Sequence, residues 1–193
     1  MLSTRTKSAQ AGFTLIELMV GVVILGILAA IAVPDFRIWM QNSQVRNAAE
    51  AITNGLQQAR ATAVGRNSSA QFIMCTATGW DVLVASAAAV AQPCDPVDSG
   101  GATGWERIQM RSENEGAKNV TVAAVAADLA TPATTITYNS FGTIVANADG
   151  SPTLSRLDFE AAGANRALRV NIGVGGNARM CDPAASPDKP SAC

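Results

Sequence analysis

Glu17 is the one polar side chain in a nineteen-residue run, Leu15 to Val33, whose other members are apolar residues or glycine. Its chemistry there is charge pairing rather than catalysis. A carboxylate placed alone in hydrocarbon costs on the order of 3 kcal/mol, and an opposite charge brought against it makes both tolerable. A helix rising about 1.5 Å per residue carries the run through roughly 28 Å, close to the hydrocarbon thickness of a bilayer. Arg5 and Lys7 precede it and no acid does, so the leader is expected to stay cytoplasmic while the rest is exported. Two plainer readings compete. Glu17 could sit at the membrane interface, where its cost falls, or the segment could be a secretory signal cut at the small-x-small Ala30-Ile31-Ala32. Against the second, Glu17 interrupts the apolar region and the helical pattern continues past the cut.

Few other residues have the types or spacing for chemistry. The chain has no His, which removes the commonest general base and metal ligand. No Gly-x-Ser-x-Gly elbow or placed carboxylate pair replaces it, so no enzyme and no cofactor is expected. Asp95 and Asp98 before Gly100-Gly101, and Asp182 with Asp188, offer oxygen ligands. Neither group has the spacing of a known calcium loop, and calcium takes six or more ligands, so no metal site is expected. Cys75, Cys94, Cys181 and Cys193 form an even set, which in an exported chain reads as disulfides. Three connectivities are open. Cys75–Cys94 and Cys181–Cys193 are favoured because each closes a short Pro- or Gly-containing segment, a closure worth roughly 3 kcal/mol in the chain-entropy model. The rival, a zinc site, lacks a CxxC spacing.

The elements that position these residues follow from periodicity. Val45, Ala48, Ala49, Ile52, Leu56, Ala59 and Ala63 recur every three or four residues, one apolar stripe on a helix continuing beyond the membrane run. Gly26 and Pro34 are its expected kink points, Pro34 because it lacks an amide hydrogen. Gly65-Arg66-Asn67-Ser68-Ser69 ends it with turn-forming residues. Beyond residue 69 the period becomes two. Trp80, Val82 and Val84 form one alternating set, Ile108 and Met110 a second, and Leu168, Val170, Ile172 and Val174 a third. These read as half-buried antiparallel strands. Further strands are expected at 70–76, 118–124, 134–139, 141–146 and 154–160, with loops at 92–104, 147–153 and 182–192. The alanine-rich stretches 85–91 and 123–130 are ambiguous. Trp39, Trp80 and Trp105 are expected to be packing anchors. The fold class is therefore α+β: a long N-terminal helix whose distal half packs on an antiparallel β domain.

Gly12-Phe13-Thr14-Leu15-Ile16-Glu17-Leu18 resembles the class III signal of type IV pilins and type II secretion pseudopilins. The resemblance implies cleavage by a prepilin peptidase between Gly12 and Phe13 and methylation of the new Phe13 amine. It also implies pairing of Glu17 with the Phe13 amine of a neighbouring subunit, which sets the axial register. More widely, the chain resembles the GspH/FimT-like group of minor pilins and pseudopilins, at 56–64, at Ile136-Thr137-Tyr138-Asn139 and at 176–183. Four segments follow: a cleaved basic leader at 1–12, a transmembrane and filament-core helix half at 13–36, an amphipathic half at 37–66, and a globular β domain at 67–193. The implied location is the inner membrane, single-pass with the C-terminal domain in the periplasm, and then a filament of other pilin or pseudopilin subunits. Val20, Val23, Leu25 and Ile27 are expected to pack in its core. Loss of Arg5 and Lys7 would take the formal charge from −1 to −3, which gives no general attraction to nucleic acid or anionic membranes. DNA binding is the alternative function. FimT-type members use a C-terminal Gly-Arg-x-Arg, whereas this chain reads Gly176-Asn177-Ala178-Arg179. Arg166, Arg169 and Arg179 could still meet phosphates as a small basic patch, or simply form a solvated face.

Overall fold

The structure, a computed structural model, describes residues 13–85, 105–113, 115 and 117–193. Among them the chain divides into two compact units, one ending at Arg37 and one running from Ile38 to Cys193. Helix α1, Leu15–Arg66, is assigned as helical across that division, with Pro34 inside it.

Among the described residues, the first unit is helix from Leu15 onward. Thr14 is its N-cap: its hydroxyl accepts from the Glu17 amide at 3.3 Å, and its carbonyl accepts from the Leu18 amide. None of the apolar window is buried within the molecule. An all-round apolar helix with no protein cover is the composition of a segment that meets lipid or other helices.

In the second unit, every member of the expected stripe from Val45 to Ala63 is buried. Gly55 joins it. A Cβ there would stand 2.8 Å from the Phe72 ring and 3.1 Å from the Trp80 ring, so glycine is what lets the helix approach the sheet. The helix ends in a Schellman turn. Asn67 adopts φ 48°, and the amides of Ser68 and Asn67 donate to the carbonyls of Ala63 and Val64, satisfying the last helical acceptors.

Nine strands follow among the described residues. β1 (Ala70–Met74), β2 (Trp80–Ala85), β3 (Trp105–Arg111), β5 (Thr135–Tyr138) and β6 (Ile144–Val145) form one sheet in the order β3-β2-β1-β5-β6. β4 (Val120–Val125), β7 (Arg156–Ala161), β8 (Leu168–Ile172) and β9 (Ala178–Cys181) form a second in the order β4-β7-β8-β9. Every strand pairing within them is antiparallel. Phe72, Val82 and Ile136 from the first sheet and Leu157, Phe159 and Val170 from the second share one core with the helical stripe.

Several expectations are corrected. β1 and β2 are not half-buried: Gln71, Ile73, Asp81 and Leu83 on their second face are buried as well. A hydrogen-bond chain runs through the polar part of that face, although Gln71 Oε1 is left buried without a partner. The Gln71 amide donates to the Thr137 hydroxyl, which donates to Asn147 Oδ1 at 2.8 Å. The Asn147 amide in turn donates to the carbonyls of Thr135, Ser151 and Pro152. Asp81 pairs with Arg107 at 3.1 Å; burial raises its carboxyl pKa while the guanidinium pulls it down. Met110 does not point inward with Ile108. The register shifts between Val82 and Leu83, so the alternation breaks; Met110 is exposed while Arg107 reaches Asp81. Val174 is likewise exposed, because β8 stops at Ile172 before a turn through Gly176 at φ 80°. The strand expected at 141–146 shrinks to Ile144–Val145, since Asn139 Oδ1 gathers the amides of Phe141 and Thr143 into a turn. Residues 123–125 of the second ambiguous stretch lie in β4. β9 was not anticipated. Of the tryptophans, Trp80 is a core anchor, but Trp39 is 64% exposed; the Trp105 side chain, the 92–104 loop and residues 86–91 lie outside the described residues.

Two tests follow. Gly55→Val should destabilise the protein by about 2 kcal/mol through overpacking, read as a lower urea midpoint at unchanged slope. Tyr138, the only tyrosine, is fully buried with no partner for its hydroxyl. Burial pushes its pKa up to about 12, with the charge of Arg60 acting in the opposite direction. Below pH 10 both states keep the proton. Between about 10 and 12 only the unfolded chain loses it, so stability falls as pH rises. The tyrosinate absorbance should therefore titrate near 12, and Tyr138→Phe should abolish that tyrosine-linked fall without loss of stability at pH 7.

Candidate functional site

Glu17 is the fourth residue of Thr14-Leu15-Ile16-Glu17, the Ser/Thr-x-x-Glu spacing of a helix capping box. The Thr14 half of the box is formed. The carboxylate thus belongs to the first turn, where the unpaired amides and the positive end of the helix dipole stabilise an anion. The apolar periodicity of the run hides this role, although the Thr-x-x-Glu spacing carries it. Phe13 is 85% exposed one residue before the cap; Gly12, the residue on the other side of the expected cut, lies outside the described residues. Gly26 lies within the helix in open space.

At the other end of the chain, Cys181 and Cys193 are disulfide-bonded, twelve residues apart. The segment they close is folded onto β9. The Asp182 amide donates to Ser191, Asp182 bridges Ala192, and the Arg179 guanidinium donates to the carbonyls of Pro190 and Ala192. Cys75 is also disulfide-bonded; Cys94, its expected partner, lies outside the described residues, as do Asp95 and Asp98. Asp182 uses Oδ1 to accept from the Ala184 amide.

The three arginines expected to make a basic patch are not gathered into one. Arg169 and Arg179 are on the outer face of the second sheet, where Arg169 pairs with Asp158 at 2.5 Å and Arg179 holds the C-terminal loop. Arg156 shares the same carboxylate at 2.9 Å. Arg166 lies apart from them, in a groove with Arg46 of α1 and Asp182. Helix and second sheet are latched beside that groove by a reciprocal pair. The Asn42 amide donates to Asn165 Oδ1 at 2.7 Å, and the Asn165 backbone amide donates to Asn42 Oδ1 at 3.2 Å.

An apolar helix with one acid in its first turn, followed by a helix-on-sheet domain, defines the type IV pilin-like class. A model of the prokaryotic N-terminal methylation motif matches residues 7–33. A model described as type II transport protein GspH matches residues 48–176, and the chain belongs to that family. Sequence relatives match over part of the chain only. The type IV major fimbrial protein FimA of Dichelobacter nodosus is 62% identical over 39 residues, 20% of this chain and 25% of that one. A fimbrial protein of Moraxella nonliquefaciens is 40% identical over 70 residues, 33% and 46% of the two chains. The chain thus spans less than half the length of the curated relatives it matches. Among solved structures, the type IV minor pilin FimU of Pseudomonas aeruginosa superposes with TM-score 0.48 at 15% identity, over 78% of this chain and 98% of that one. The minor pseudopilin EpsH from the type 2 secretion system of Vibrio cholerae gives 0.46 at 14%, over 74% and 99%.

Cys193→Ser should release the C-terminal loop from β9. The expected loss is roughly 3 kcal/mol of stability, with faster amide exchange confined to 178–193. Exchange unchanged from wild type would mean that Arg179 and the Asp182 bridge hold the loop without the disulfide.

Proposed function

We propose that the chain is a minor pilin or pseudopilin, cut by a prepilin peptidase between Gly12 and Phe13 and methylated at Phe13. It is held in the inner membrane by the 13–36 half of its helix, with the β domain in the periplasm, and then built into a type IV pilus or type II secretion pseudopilus at or near the tip. The observation that carries this reading is the run from Leu15 to Val33: wholly apolar but for Glu17, uncovered by the rest of the molecule, and overlapped by a methylation motif. Extraction from lipid into a helical bundle exchanges one apolar surrounding for another, so the hydrophobic cost is small. Packing and the single charge pair between Glu17 and a neighbour's Phe13 amine then decide register. Pro34 and Gly26 are the points at which the rod can bend to fit. DNA capture is the weaker reading, because Arg169 and Arg179 are already engaged with protein acceptors and phosphate affinity needs several cations together.

Glu17→Ala separates processing from assembly. The variant should be cut and methylated normally, shown by an intact mass beginning at methylated Phe13, yet fall at least about tenfold in sheared filaments, the loss expected for a charge pair worth ~1.4 kcal/mol or more. Normal abundance in filaments would remove the register role, and a mature chain beginning at Val33 would remove the filament reading altogether.

A further inference from the structure

The groove beside the Asn42–Asn165 latch has a volume of about 480 Å³ and mixes groups of three kinds. Arg46 and Arg166 bring two guanidiniums. Asp182 brings one carboxylate. Leu168 and Met180 are apolar and partly buried against the core; Trp39 completes the lining with its indole largely in solvent. Arg46 is shared with Glu50 at 2.8 Å, whereas Arg166 has no carboxylate partner among the described residues.

We propose that this groove binds the phosphoethanolamine head group of a membrane phospholipid. The proposal rests on the reading that residues 13–36 hold the subunit in a bilayer. Guanidiniums are suited to phosphate, since their fork of N–H donors matches its oxygens. A purely anionic head group would meet Asp182 and Glu50 as well as the arginines, and the chain carries no net positive charge to draw it in. A zwitterion uses both signs: its phosphate faces Arg166 and Arg46, and its ammonium faces Asp182. The Trp39 ring offers a cation–π surface to the same ammonium, and tryptophan favours the head-group level of a bilayer. Trp39 comes six positions after Val33, the last residue of the apolar run. Binding there gives the stored subunit a polar hold on the membrane that must be released on extraction.

The test uses the full-length protein in nanodiscs containing equal phosphatidylethanolamine and phosphatidylglycerol, with native mass spectrometry of the lipid retained on release. Wild type should keep one phosphatidylethanolamine in about tenfold preference, the ratio set by one ion pair worth ~1.4 kcal/mol. Arg46→Gln with Arg166→Gln should lower retention of either lipid about tenfold. Asp182→Asn should erase the preference while keeping retention. Thermal melts matching wild type establish that both variants are folded, and Arg166→Gln alone, expected to lose part of the retention, serves if the double variant is not. Equal retention of both lipids by wild type, or retention unaltered by the arginine changes, overturns the inference. Displacement by inorganic phosphate as readily as by soluble phosphoethanolamine also overturns it, in favour of a free-phosphate site. A concentration-dependent dimer lost in Arg166→Gln overturns it in favour of a second copy. Failure of wild type to float with vesicles of either lipid would instead defeat the membrane reading beneath it.

Discussion

A single helix here carries two different surfaces. From Leu15 to Val33 it is apolar but for Glu17 and left uncovered by the described residues. From Val45 to Ala63 it is apolar along one stripe only, and that stripe is buried. The second half works because its stripe is made largely of small residues. Ala48, Ala49, Ala59 and Ala63, with Gly55 at the tightest point, bring the backbone close to the sheet, where Phe72 and Trp80 lie 5.6 Å apart, ring centre to ring centre. A helix carrying large residues on this stripe would hold the sheet further out and leave gaps that close-packed cores do not tolerate. Both sheets take their inner faces from that approach, so the helix is the seam on which the whole domain is registered.

What the sequence made legible was what repeats. The helical stripe, the turn that ends it at Asn67 and eight of the nine described strands could be read from period and punctuation alone. β9 escaped because Ala178-Arg179-Met180-Cys181 is too short to show alternation and follows a glycine-rich turn. The slip of register between Val82 and Leu83 escaped because a bulge is a property of two strands together, and a one-residue slip reverses every face that follows it. That is why Met110 is outside and Arg107 reaches Asp81. The polar second face of the first sheet was equally hidden. Gln71, Thr137 and Asn147 look like surface residues until the chain returns to bring their donors and acceptors together, which offsets much of the cost of burial while leaving Gln71 Oε1 unpaired.

The site residues divide in the same way. The methylation motif was legible at the N-terminus, because its residues are neighbours in sequence. The arginines were not, because their surroundings are set by cross-strand neighbours. Arg169 lies opposite Asp158 in the β7–β8 register, and Arg179 faces a loop returned by a disulfide. Arg166, just outside a strand, is in neither arrangement and lines a groove with Arg46 instead.

Glu17 lies on the same helix as the buried stripe, and its place in the first turn means that part of its charge is already met by the amide end of its own helix. In the assembly we propose, that would lower the cost of waiting in lipid alone. A carboxylate unrelieved in hydrocarbon would favour any available partner, including mismatched ones. One relieved by its own helix could wait unpaired, and a neighbour's amine would then compete only by offering a full charge at the right height. Thr14 would therefore matter to that assembly as well as to folding, because it fixes the turn that holds Glu17 near the amide end without using up its charge.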